Sequence, residues 1–277
     1  MTSELCVYEL ASGKVIPILK TERRIEAPNW SRDAMSMVVN GDGHIFKVDL
    51  RAPDLKVIDT DFANRCNNDH GISPDGKTLV ISDTSDTGQS CVYTLPIGGG
   101  RPERISENTP SYWHGWSPDG KELAFVGKRD MGGFGIYTIP ATGGAETCLS
   151  RGFEHVDGPD YSPDGKWIWF NASSAGQMQL WRMHTDGGHL QQMTNDEAQD
   201  WFPHPSPDGK HVVYLSYMPG TEGHPRNCDV QLRMMASDGG EPWVLLSLTG
   251  GQGTINVPSW APDGSRFAFV RYDPESE

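Results

Sequence analysis

One short turn motif recurs along the whole chain and dictates what it can fold into. Ser73-Pro74-Asp75-Gly76-Lys77 returns as Ser117-Pro118-Asp119-Gly120-Lys121, Ser162-Pro163-Asp164-Gly165-Lys166 and Ser206-Pro207-Asp208-Gly209-Lys210. Ala261-Pro262-Asp263-Gly264-Ser265 is a close variant, and Ser31-Arg32-Asp33-Ala34 is a degenerate first copy. The six copies start at residues 31, 73, 117, 162, 206 and 261. Proline presets φ, aspartate bonds its own backbone and glycine takes the positive-φ position, so each copy is a tight turn between antiparallel strands.

Each turn is followed by a β-rich run such as Leu123-Ala124-Phe125-Val126, then an alternating run such as Gln179-Leu180-Trp181-Arg182-Met183. In four copies a Gly-Gly pair comes next, at Gly98-Gly99, Gly143-Gly144, Gly187-Gly188 and Gly239-Gly240, ahead of a last short strand. Four short strands in a period of about 44 residues are what a propeller blade needs. No stretch shows a sustained helical period, and 32 glycines and 20 prolines would oppose one. The expected fold is all-β: a six-bladed β-propeller with four antiparallel strands per blade, occupying residues 1–277 as one domain. The last copy supplies only two strands before the chain stops, and residues 5–10 and 15–20 supply two more. The N-terminal strands are therefore expected to complete the last blade and close the ring.

Lysine and arginine total 23 against 37 acidic residues, a formal net charge of −14. That balance, with no basic run, argues against a nucleic-acid partner. The five cysteines include no C-x-x-C pair, which argues against a zinc ribbon and fits a reducing compartment. No window approaches the length of an apolar membrane span, and the first ten residues have no signal-peptide pattern. The expected location is cytoplasmic, or periplasmic if a leader was trimmed.

Pro28-Asn29-Trp30-Ser31, Pro258-Ser259-Trp260-Ala261-Pro262-Asp263-Gly264 and the copies between them resemble the propeller repeats of the TolB family, over about 270 residues. Periplasmic TolB carries a separate N-terminal domain, which is not expected here, so the resemblance implies a TolB-like protein with a different task. The same repeat class includes the oligogalacturonate lyases, which hold a divalent metal with channel-facing His and Gln.

Functional residues are sought where the innermost strand of each blade meets the central channel. Three positions before each turn stand Pro28, His70, His114, Pro159, Pro203 and Pro258, so two neighbouring blades carry histidine where four carry proline. Five positions before it stand Glu26, Asn68, Tyr112, Asp157, Trp201 and Asn256, a mostly polar ring. His155 and His204 fall on the same mouth segments. Convergent neutral imidazoles with a carboxylate suit a divalent metal or acid–base work. The other reading of each histidine is a hydrogen bond to loop backbone. His155 and Asp157 are the candidate catalytic pair. Arg65 is the candidate stabiliser of a substrate carboxylate, its alternative being a solvated loop residue. Asn68, Tyr112, Trp113, Trp201, Asn256 and Glu26 are the candidate ligand-binding residues, with Trp113 and Trp201 able either to stack on a sugar or to cap the core.

The lyase resemblance implies manganese or a similar ion, with Gln199 and His204 matching part of its ligand pattern; the full set does not carry over, and His70 and His114 are the candidates to replace the missing ligands from other blades. Phe202 stands where a further histidine would be sought. The longest insertion, residues 218–227 in the fifth blade, suits a lid over the mouth, its alternative being a tolerated surface insertion. The functional expectation is a small polar ligand, a sugar or uronate, and a metal-dependent lyase or related carbohydrate-active enzyme. The alternative is a non-catalytic propeller that grips a peptide or protein partner. No membrane partner is expected.

Overall fold

The computed structural model describes residues 2–129, 133–150 and 152–273. The chain opens with β1 (Thr2–Glu9) and β2 (Lys14–Thr21). Blade one is β3 (Glu26–Trp30), β4 (Ser36–Gly41), β5 (His44–Asp49) and β6 (Lys56–Val57). Blade two is β7 (Cys66–Ile72), β8 (Thr78–Asp83), β9 (Cys91–Pro96) and β10 (Glu103–Arg104). Blade three is β11 (Ser111–Trp116), β12 (Glu122–Lys128), β13 (Phe134–Pro140) and β14 (Thr147–Cys148). Blade four is β15 (Val156–Tyr161), β16 (Trp167–Ser174), β17 (Gln177–His184) and β18 (Gln191–Gln192). Blade five is β19 (Gln199–Pro205), β20 (His211–Tyr217), β21 (Arg226–Ala236) and β22 (Trp243–Gly251). β23 (Arg266–Asp273) pairs antiparallel with β1, Thr2 opposite Asp273 and Glu9 opposite Arg266, so the two chain ends share the sixth blade.

The predicted propeller and its closure are therefore what the chain forms. The sixth blade differs in one detail. Residues 256–260 occupy its innermost position but pair with β23 only through the bridge of Trp260 to Phe267 and the hydrogen bond from Ala268 N to Ser259 O. Pro258 removes one ladder donor from this segment.

The turns behave as their residues require. In the second blade Ser73 Oγ donates to Asp75 Oδ1 at 2.6 Å, Asp75 Oδ1 accepts from Lys77 N at 3.1 Å, and Gly76 sits at φ 75°. The same Ser–Asp bond recurs at Ser31, Ser117, Ser162 and Ser206. Apolar clusters fill the seams between blades. Trp201, Val213 and Leu215 of blade five pack with Cys6, Phe267 and Phe269 of blade six.

The innermost strands share one irregularity that positions the site. β3, β7, β11, β15 and β19 each carry a register break against their neighbour, just before the turn motif. Ala27, Gly158 and Phe202 adopt positive φ at these breaks. Such bulges re-aim side chains and suspend strict alternation.

Candidate functional site

The mouth opposite the Ser-Pro-Asp-Gly turns holds a pocket of about 320 Å³. Its floor is built from β7, β11 and β15. His114 of β11 is buried and lies between two carboxylates: Nε2 is 3.0 Å from Asp157 Oδ1 and 4.0 Å from Asp69 Oδ1. Its Nδ1 lies 3.4 Å from the carbonyl of Asn256. Burial works against the charged ring, but the Asp69 charge and the Asp157 hydrogen bond outweigh it and push His114 up to about 9. Asp157 is drawn down to about 2, because the bond and charge of His114, with help from His224 and His155, overcome its burial. Asp69 has the opposite fate: burial dominates, and its carboxyl rises to about 6 although His114 is near. The floor thus carries a fixed imidazolium, a fixed carboxylate and a second carboxyl that titrates close to neutrality.

The walls come from two further blades. His224, in the insertion of residues 218–227, places Nε2 3.7 Å from Asp157 Oδ2. Burial lowers its pKa, with Asp157 pulling the other way, so its ring is neutral. It packs edge-on against Trp201 and Phe202, at 4.4 and 5.4 Å between centroids, while Phe202 stacks on His114 at 6.2 Å. Three residues of the lining carry buried polar atoms without a hydrogen-bond partner: Asn68 Nδ2, His155 Nε2 and His224 Nδ1. Arg226 stands at the rim, with Nη2 3.5 Å from Glu26 Oε1. Arg24 Nε donates to the same Glu26 oxygen at 2.8 Å.

Of the residues expected at the mouth, Asn68, Tyr112, His114, His155, Asp157 and Asn256 line this one pocket. Burial and the Asp69 and Asp157 charges keep the Tyr112 phenol protonated by raising its pKa. Asn256 is committed internally, its Oδ1 accepting from Gly253 N at 2.6 Å. Glu26 is buried and serves Arg24, Arg226 and Asn40 rather than a ligand. Trp113 and Trp201 are buried in the core instead of forming an open stacking platform. Arg65 is exposed and not on the lining. Asp69, His224 and Arg226 are the residues that counting from the turns did not find.

The expected metal set does not converge. His70 repeats the position of His114 but is fully buried away from the pocket, and burial pushes it down to about 4, against the Val38 and Ala27 backbone. Neither of its ring nitrogens makes a well-formed hydrogen bond. His204 is used on both sides, Nδ1 to Asp160 Oδ2 at 3.1 Å and Nε2 to Ile255 O at 2.6 Å. Gln199 Oε1 accepts from Met178 N at 2.7 Å. Among the described residues no group of three or more His, Cys, Asp or Glu is arranged to hold a metal ion. These donors therefore do not fit the ion that the lyase resemblance implied.

Residues 109–226 match the TolB beta propeller domain family. The chain is 47% identical over 275 residues to the uncharacterized protein Atu1656 of Agrobacterium fabrum, covering 99% of this chain and 94% of that one. It is 26% identical over 256 residues to the Tol-Pal system protein TolB of Francisella tularensis, covering 90% of this chain but 57% of that protein's length. Among solved structures, the putative TolB from Agrobacterium tumefaciens superposes with a TM-score of 0.97 at 47% identity, over 99% of both chains. An oligogalacturonate lyase in complex with manganese superposes with a TM-score of 0.59 at 16% identity, over 88% of this chain and 70% of that one, a likeness of fold alone. Among the described residues no helix is long and apolar enough to cross a membrane.

Proposed function

Because the chain belongs to the TolB-like β-propeller family, whose fold leaves function to the site, we propose that its channel mouth binds a small hydroxyl-rich acid of the uronate class. The observation that carries this reading is the trio of buried, unpartnered polar atoms, Asn68 Nδ2, His155 Nε2 and His224 Nδ1, around one pocket of about 320 Å³. Unmade buried hydrogen bonds are costly, and sugar hydroxyls, which both donate and accept, would complete them. The volume suits one or two sugar rings. Arg226 at the rim offers donors to a carboxylate. The floor carboxylates, Asp69 and Asp157, accept from hydroxyls and disfavour an anion placed deeper. No metal is needed for this binding.

His224 favours a second, catalytic reading. Its ring is neutral, its Nε2 lies 3.7 Å from Asp157 Oδ2, and its buried Nδ1 has no hydrogen-bond partner, so the imidazole is in the protonation state a general base requires. Proton abstraction from a uronate is the first step of elimination. His114, held protonated, is a poor base and a better donor to developing negative charge. The TolB resemblance points to a periplasmic setting rather than the cytoplasmic one expected from the cysteines. It also makes a protein partner the rival occupant of the mouth.

Calorimetric titration of the EDTA-treated protein with galacturonate, digalacturonate, glucose and an unrelated acidic peptide tests the proposal. Binding of the acids above glucose, weakened about tenfold or more by Arg226→Gln as the loss of a charge-assisted bond requires, is the expected result. Binding of the peptide alone, or binding of the acids only after manganese is added, would overturn it.

A further inference from the structure

The far end of the channel carries a second cavity of about 240 Å³, formed by the turn motifs themselves. The second residue of every motif reaches it. Five of these six equivalent positions are Pro74, Pro118, Pro163, Pro207 and Pro262, and the sixth is Arg32. The residues just before the motifs form an inner tier, in which Trp30, Trp116, Tyr161 and Trp260 supply aromatic rings. The degeneracy of the first repeat thus places a single cation among five prolines.

Three features give this collar an occupant. Arg32 Nε donates to Ser73 O at 3.3 Å, and among the described residues no acceptor engages the rest of its guanidinium. Trp30 and Trp116 line the cavity with buried indole N–H groups that have no partner. Asp160 lies on the lining, bonded to His204 and acting electrostatically on Arg32, so a second anion is better placed at the rim than in the interior. A turn position that favours proline for its φ gains nothing conformational from arginine.

We infer that this turn-side mouth is a separate binding site for a small carboxylate with a flat apolar body, its carboxylate paired with Arg32 at the rim and its apolar end against the proline and tryptophan collar. The charge of Arg32 selects the anionic end and the aromatic rings select the other. An exposed fork of two N–H groups is the geometry that guanidinium offers a carboxylate. The site uses none of the residues that line the histidine pocket, so it stands whether or not that pocket binds a uronate.

Tryptophan fluorescence reports directly, since Trp30, Trp113, Trp116 and Trp260 line the cavity. Titration with phenylacetate should quench or shift the emission saturably, whereas phenylacetamide, the same size without the charge, should bind at least about tenfold more weakly. Arg32→Pro restores the residue of the other five repeats, should fold normally, and should abolish the preference for the acid over the amide. Asp157→Asn, at the opposite mouth, should leave phenylacetate binding unchanged. Equal binding of acid and amide, an unchanged preference in Arg32→Pro, or no saturable binding of phenylacetate up to roughly 10 mM, the weak end of measurable affinity, would each overturn the inference. Crystals soaked with phenylacetate give the second reading: density beside Arg32 supports it, and density only in the histidine pocket refutes it.

Discussion

Replacing Asp157 with asparagine removes the nearer of the two carboxylates that hold the proton on His114. The rise of His114 from its ordinary 6.5 to about 9 corresponds to about 3 kcal/mol of preference for the charged ring. The fall of Asp157 to about 2 reports largely the same contact and is not added to that figure. A histidine whose folded pKa is raised contributes its full stabilisation below the unfolded value and loses it as pH climbs through the folded one. The wild-type protein should therefore lose up to about 3 kcal/mol from this contact between pH 6.5 and pH 9. In Asp157→Asn burial faces only Asp69, so His114 should titrate at least one unit lower and the loss should shrink. Urea denaturation at steps from pH 6 to pH 9.5, followed by tryptophan fluorescence, measures both proteins. The stability gap between them should narrow by about 1.4 kcal/mol or more across that window, one pKa unit or more of His114. A gap that stays constant, or a wild-type His114 resonance that titrates at or below 6.5, would refute the reasoning.

A Cβ added at Gly71 would lie 2.1 Å from Trp113 Cη2, so Gly71→Ala should destabilise by about 1–3 kcal/mol or more in thermal or urea denaturation, as overpacking does; an unchanged midpoint would contradict the packing described. His204→Ala leaves Asp160 buried without its imidazole partner and should cost about 1–3 kcal/mol in urea denaturation, as an unsatisfied buried polar group does. Deleting residues 2–21 removes the two strands that join the chain ends and should replace one cooperative unfolding transition with a broad or absent one, as calorimetry would show.

The ring of blades was legible because its information is local and repeated. Each turn needs its own Ser, Asp and Gly, and the spacing of six copies counts the blades. The closure was legible because residues 5–10 and the last copy each lacked what the other supplied. The site was legible only in part. Counting back from the turns placed His114, Asp157, Asn68 and Tyr112 at one mouth, and they share one pocket. The same counting gave His70 the role of His114, and the structure separates them. The bulges in the innermost strands re-aim side chains differently from blade to blade, so equal repeat positions do not face equal surroundings. Asp69, one residue from the predicted ring, enters the pocket for the same reason. His224 and Arg226 belong to the one insertion that breaks the repeat, and its reading as a lid was the only signal that pointed to them. Trp113 and Trp201 show the limit of side-chain type as evidence, because an aromatic ring at a mouth segment serves the core as readily as a ligand.

The central claim is that the histidine-walled mouth takes a small sugar acid without a metal. A crystal structure of the EDTA-treated protein soaked with digalacturonate tests it most directly. The account predicts sugar density in the pocket, its carboxylate beside Arg226 and its hydroxyls within hydrogen-bond reach of Asn68, His155 and His224. Sugar density that appears only in crystals supplied with manganese, or a pocket that stays free of sugar at saturating concentration, would contradict it.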